Sequence, residues 1–129
     1  MATITRELLI DASPDAVWER MSDVGALNQL IDFVGDVTLD SDRRYCDLGG
    51  EGELDELIGS VDPDRKRFVY SIRKSPFGFE HHSASWQAFA DDDGGTRLVW
   101  VTDFKPDAAA PALEHVIYQG AASIERALA

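Results

Sequence analysis

The feature that most limits what this chain can fold into is a change of hydrophobic period near Pro106. Before it, runs of strand length alternate apolar and polar residues; after it, Leu113, Val116, Ile117, Gly120, Ala121, Ile124 and Leu128 recur at helical spacing over about five turns. Pro111 falls in the first turn, where its missing N–H costs nothing, and Glu114, Gln119, Glu125 and Arg126 take the wet side. A long helix with one apolar stripe needs a surface to lie on, and the rest of the chain offers a sheet.

Thr3–Ile10 predicts the first strand. Ser13-Pro14-Asp15 then reads as an N-cap, a proline in the first helical turn and an acid near the positive helix end. The helix it opens carries Val17, Trp18 and Met21 on one face, and a second short helix is expected over Ala26–Phe33. From Gly35 the period is two. Val37–Leu39, Arg44–Asp47, Glu53–Val61, Arg67–Arg73, His81–Ala90 and Thr96–Phe104 read as strands, separated by Ser41-Asp42, Gly49-Gly50, Asp62-Pro63-Asp64, Ser75-Pro76-Phe77-Gly78 and Asp92-Asp93-Gly94-Gly95. Turns this short between consecutive strands make antiparallel hairpins, so the expected fold is α+β: a curved antiparallel sheet of about seven strands around the C-terminal helix.

At 129 residues the chain reads as one domain, residues 1–129. Acidic residues number 24 against 12 basic ones, a formal charge of −12 that argues against nucleic-acid partners. The apolar runs are too short for membrane insertion, and the N-terminus shows no basic-then-apolar leader. Cys46 is the sole cysteine, so no intrachain disulfide is possible and a cytoplasmic location is expected.

Alternation also assigns inward faces. Phe68, Tyr70 and Ile72 share one parity; so do His82, Ala84, Trp86 and Ala88; so do Leu98, Trp100, Thr102 and Phe104. The parity of Glu53–Val61 is ambiguous, with Leu54, Glu56 and Ile58 against Leu57, Gly59 and Val61. Large rings spaced by small residues either fill a core or wall a cavity for a flat apolar guest. The polar candidates are Glu56, His82, Tyr70, Thr102 and His115, with Tyr118 beside the last at a possible entrance. A carboxylate facing an apolar hollow without a partner would be raised toward neutrality, as a general acid or base requires. His82 is either a hydrogen-bonded wall residue or a proton shuttle. His81-His82 adjacency points the two rings to opposite faces and makes a poor metal clamp, Cys46 reads as a small buried thiol, and Gly49-Gly50-Glu51-Gly52 reads as a bend and not a phosphate loop.

Ile10-Asp11-Ala12-Ser13-Pro14-Asp15-Ala16-Val17-Trp18 resembles the opening signature of the START-like superfamily, which includes the Bet v 1-like proteins and the polyketide cyclase/dehydrase and lipid transport group. Asp55-Glu56-Leu57-Ile58, the run from Asp62 to Ile72, and Thr96 through Pro106 are similar to that group's later strands. The resemblance implies a helix-grip fold whose cavity binds a small apolar or aromatic molecule, without a cofactor or metal, as a monomer or homodimer. One function it implies is a polyketide cyclase/dehydratase-like enzyme with Glu56 and His82 as catalytic residues. The alternative is a non-catalytic carrier or sensor of a lipid, quinone or other apolar metabolite; an interaction module using the outer face at Val99 and Val101 is a third. Expected ligand contacts are Tyr70, Phe68, Trp86, Trp100, Thr102, Ile58, Ile117 and Tyr118. Glu56 and His82 reaching one point in the hollow would favour catalysis, whereas sealing both in fixed hydrogen bonds would favour carriage. Asp40–Gly52 is shorter than in many relatives and should reshape one end of the cavity.

Overall fold

Hairpin turns rich in Gly and Asp return the chain on itself throughout its middle, and the computed structural model, which describes residues 1–129, shows the result. The elements run β1 (Ala2–Ile10), α1 (Pro14–Met21), a 3-10 helix (Val24–Gln29), β2 (Val37–Asp40), β3 (Arg43–Asp47), β4 (Glu53–Asp62), β5 (Arg67–Lys74), β6 (His81–Ala90), β7 (Thr96–Lys105) and α2 (Ala110–Leu128), with 3-10 turns before β4 and α2. One seven-stranded antiparallel sheet has the order β1-β7-β6-β5-β4-β3-β2. β2 to β7 form the meander, while β1 closes beside β7 at the opposite edge from β2. The helical segments after β1 therefore carry the chain across one face of the sheet from edge to edge.

The sheet is curved where β4 meets β5. Register slips between Asp55 and Glu56 and again between Ile58 and Val61, each slip placing one extra residue on one strand. Such bulges bend a sheet and raise its twist. Gly59 sits at the second, where a side chain would bring a Cβ within 3.2 Å of the Val69 carbonyl oxygen. These bends explain why period two is hard to read in β4. By contrast, β6 and β7 alternate strictly, burying His82, Ala84, Trp86 and Ala88 on one and Thr96, Leu98, Trp100, Thr102 and Phe104 on the other.

Ser13 caps α1, its Oγ accepting from the Ala16 N–H, and Val17 and Met21 are buried beneath the helix. The second helix expected over Ala26–Phe33 is instead a short 3-10 helix, broken at Ala26. Two causes are visible. Asp23 makes no capping bond, and the groups that a helix through Phe33 would use are taken by α2: Ser123 Oγ donates to the Leu30 carbonyl at 2.8 Å and accepts from the Asp32 N–H at 2.9 Å. The apolar residues of this segment, Leu27, Leu30, Ile31 and Val34, are nonetheless buried.

α2 buries Leu113, Ile117, Gly120, Ala121, Ser123, Ile124 and Leu128 against the concave face. Gly120 allows Trp100 to lie against the helix backbone, since a Cβ there would stand 3.2 Å from the indole ring. No helix is long and apolar enough to cross a membrane.

Candidate functional site

The concave face and the first half of α2 do not meet everywhere. Between them, with Leu27, Ile31 and Val34 as a further wall, lies a cavity of about 600 Å³, within the range of small-molecule sites. Trp86 and Trp100 meet edge to face at 5.3 Å and partition the interior. Behind them Phe68, Leu8, Leu98 and Ile124 pack solid, each 1% exposed or less; before them the space is open. Fifteen of the 23 lining residues are hydrophobic, so the guest that fits is mainly apolar. Leu48, Glu51, Pro76 and Phe77 come from the β3–β4 and β5–β6 connections, and Phe33, His115 and Gln119 complete that side. The short Asp40–Gly52 hairpin thus does shape one end of the hollow.

Glu56 faces inward and is 2% exposed, but it is not alone. Arg44, directly opposite on β3, is 1% exposed and places Nε 2.8 Å from Glu56 Oε1. The same guanidinium donates to the Val24 carbonyl and lies 5.6 Å from the centre of the Tyr70 ring. Cys46, two residues along β3, donates its thiol to Glu56 Oε1 at 3.4 Å. Burial first, then the neighbouring Glu56 charge, pushes that thiol up to about 12. Glu56 is thus the paired form of a buried carboxylate, its Oε1 holding both a cation and a thiol proton.

His82 is buried beside Tyr70 and Phe79. Its Nδ1 accepts the Ile72 backbone N–H at 2.9 Å, which fixes the neutral tautomer with the proton on Nε2. Desolvation chiefly, with a contribution from His81, lowers its pKa to about 4. The ring is a neutral donor near pH 7, not a base. Tyr70 Oη accepts from Trp100 Nε1 at 3.2 Å; burial raises its pKa, with Glu56 adding to the effect. Trp86 Nε1 and Thr102 Oγ1 are sealed from solvent with no partner in good hydrogen-bond geometry, though the Trp86 indole lies close enough to Tyr70 Oη to act on it as a donor.

Of the residues singled out from sequence, Glu56, His82, Tyr70, Trp86, Trp100, Thr102, Ile117 and His115 stand on the cavity wall, and three do not. Phe68 is fully buried on the far side of Trp86, its ring 5.2 Å away in the solid half. Ile58 falls at the second β4 bulge, where the inward parity ends. Tyr118 follows Ile117 round the helix to the outside, is 60% exposed, and lies under the Arg6 guanidinium at 5.0 Å. Arg44 went unnoticed, although the β3–β4 hairpin centred on Gly49-Gly50 places it opposite Glu56. No three His, Cys, Asp or Glu side chains cluster so as to hold a metal ion.

The fold has counterparts among solved structures. XoxI from Bacillus cereus superposes with a TM-score of 0.89 at 20% identity, over 99% of this chain and 96% of that one. A protein from Thermobifida fusca does so at 0.84 and 27% identity, over 97% and 91%. An aromatase/cyclase from a Streptomyces species matches at 0.76 and 23% identity, over 98% and 90%. No curated protein matches the chain. The family described as polyketide cyclase/dehydrase and lipid transport matches residues 1–129, and with a seven-stranded sheet gripping α2 around an internal hollow, the chain belongs to that family within the START-like superfamily.

Proposed function

We propose that this protein binds a small apolar or aromatic molecule in the cavity between the sheet and α2, as a carrier or sensor that leaves its guest chemically unchanged. One observation supports this reading above the others: the groups that would move protons are held in fixed bonds, Glu56 through its Oε1 to Arg44 and Cys46 and His82 through its Nδ1 to the Ile72 N–H. A general base must offer a free lone pair to substrate, and here the nearest nitrogen lone pair is occupied by backbone. What remains is a shaped apolar hollow with a few fixed polar groups, which orients a guest and selects it by shape.

The test is recovery. Protein purified from its natural host and extracted into organic solvent should yield a small apolar compound by mass spectrometry, and incubation of that compound with fresh protein should return it unaltered. A new product accumulating in proportion to protein would overturn the carrier reading.

The second reading, a cyclase/dehydratase-like enzyme, is favoured by Glu56 and His82 sharing one cavity wall and by the likeness to the Streptomyces aromatase/cyclase. On it, Glu56→Gln abolishes turnover of the recovered compound and leaves its affinity within about twofold.

A further inference from the structure

The sheet is slit between β5 and β6, and the slit lies against the hollow. The two strands pair from Arg67 with Gln87 only as far as Tyr70 with Ala84, although β5 runs on to Lys74 and β6 begins at His81. Beyond that point each strand follows its other neighbour. β5 stays with β4 as far as Asp55 and Lys74, with the extra residue of the bulge on β5 at Arg73, and β6 stays with β7 as far as His81 and Lys105. Two hydrogen bonds span the slit, and neither is a ladder bond: the Ile72 N–H donates to His82 Nδ1, and Ser71 Oγ donates to the His82 carbonyl. Ile72 and His82 line the cavity, as do Pro76 and Phe77 of the connection, residues 75–80, that bridges the two strand ends.

Resting on the binding reading above, we infer that this connection is the door by which a guest enters and leaves the cavity, and that Ser71 and His82 fasten it shut. The connection is lightly held. It makes one backbone–backbone hydrogen bond beyond its own turn, from the Glu80 N–H to the Lys105 carbonyl at 2.8 Å. Gly78 stands at φ +65°, where glycine turns the chain without strain. The remaining hold is aromatic: Phe79 stacks on Phe77 at 5.5 Å and meets the His82 ring at 5.0 Å and Phe104 at 6.2 Å. A segment with few backbone bonds opens at low cost, whereas a paired strand must first lose its ladder. The opposite wall is fastened far more firmly: Val24 to Arg44, Leu30 and Asp32 to Ser123, Asp32 also to Arg126, and Gly35 and Asp36 to Asp47. Opening at the slit breaks two bonds, and the His82 ring, which is both cavity wall and fastening, must move for a guest to pass.

The experiment staples the slit. Ser71 and Ser83 are the next positions after the Tyr70–Ala84 pair, and neither lines the cavity. Facing residues of a paired antiparallel ladder lie about 4.5–5.5 Å apart at Cα, and a disulfide spans up to about 6.8 Å. In full-length Ser71→Cys/Ser83→Cys, binding of 2-ethylnaphthalene is followed by stopped-flow tryptophan fluorescence. The oxidised staple should slow association and dissociation together, each at least tenfold, and leave Kd within about twofold; dithiothreitol should restore both rates. A change confined to packing of the wall would move Kd and fall mainly on dissociation. Ser71→Ala removes one fastening without touching the cavity, and should speed both rates about fivefold, as the loss of one hydrogen bond from the closed state should. It carries the test where the cysteine pair does not fold or oxidise. Rates unchanged by the oxidised staple, or by Ser71→Ala where no staple forms, would overturn the door while leaving the cavity a binding site, and so would a dissociation rate that changes alone with Kd in step. Failure of the probe to bind the wild type would sink the binding reading itself, and the door with it.

Discussion

Arg44 and Glu56 hold each other in a place where neither could stand alone. Removing one side of a buried ion pair leaves an uncompensated charge and typically costs about 3–5 kcal/mol, whereas replacing both by apolar residues of similar size is often neutral. Arg44→Met should therefore lower the urea midpoint by that equivalent, and Arg44→Met/Glu56→Leu should recover most of it; a double variant as unstable as the single would mean that the pair's other bonds, to Val24 and Cys46, dominate. His82 makes a second residue-scale prediction, in pH. Its folded pKa, about 4, lies below the ordinary 6.5, so the unfolded chain binds the extra proton between those values. Stability from keeping this ring neutral is fully present above pH 6.5, falls as pH drops toward 4, and amounts to about 3 kcal/mol. His82→Asn, which keeps an acceptor for the Ile72 N–H, should flatten that part of the stability–pH curve relative to wild type; parallel curves would refute the assignment. The inward direction of His82 was legible from parity with Trp86. Arg44 was not, because a charged residue in a strand reads as solvent-facing until its cross-strand partner is placed.

At the scale of elements, the segment between α1 and β2 shows where local pattern gives way to tertiary contact. Leu27, Leu30 and Ile31 have helical spacing, and their burial follows from it. Their backbone does not, because Ser123 of α2 takes one carbonyl and one N–H that a longer helix would have satisfied internally. The other strands and α2 were legible because their periods are long and unbroken; β4 resisted because the slip between Ile58 and Val61 puts an extra residue on it and breaks its period, the other slip putting its extra residue on β5, and no local signal announces that bulge except the glycine at position 59. Ser123→Ala would leave two backbone groups without their partner at a site only 4% exposed, at a cost of about 2 kcal/mol. Hydrogen exchange should show the loss first in the Leu30–Asp32 amides, with the β6–β7 amides unchanged at low denaturant. Uniform loss across both regions would mean that this clasp is part of the global unfolding unit and not a local fastening.

Across the whole molecule, one wall of two indoles divides a solid half from a hollow one, and the division has a consequence for substitutions on the same face of the same helix. Ile117 borders the cavity, whereas Ile124, two turns further along α2, is fully buried in the packed half. Enlarging a side chain in a filled core forces neighbours off their preferred rotamers at about 1–3 kcal/mol, while enlarging one beside empty space adds apolar contact without that strain. Ile124→Phe should thus lower the melting temperature by roughly 4–12 °C, taking roughly 4 °C for each kcal/mol in a domain of this length. Ile117→Phe should leave it unchanged or raise it, and should weaken binding of a naphthalene-sized apolar probe at least tenfold. Cavity-filling substitutions commonly stabilise natural proteins, so an Ile117→Phe variant that is stable but no longer binds would show that the space serves a guest and not the fold. If Ile117→Phe is as damaging as Ile124→Phe, the space is closed by motion in solution and the guest-binding account loses its physical basis.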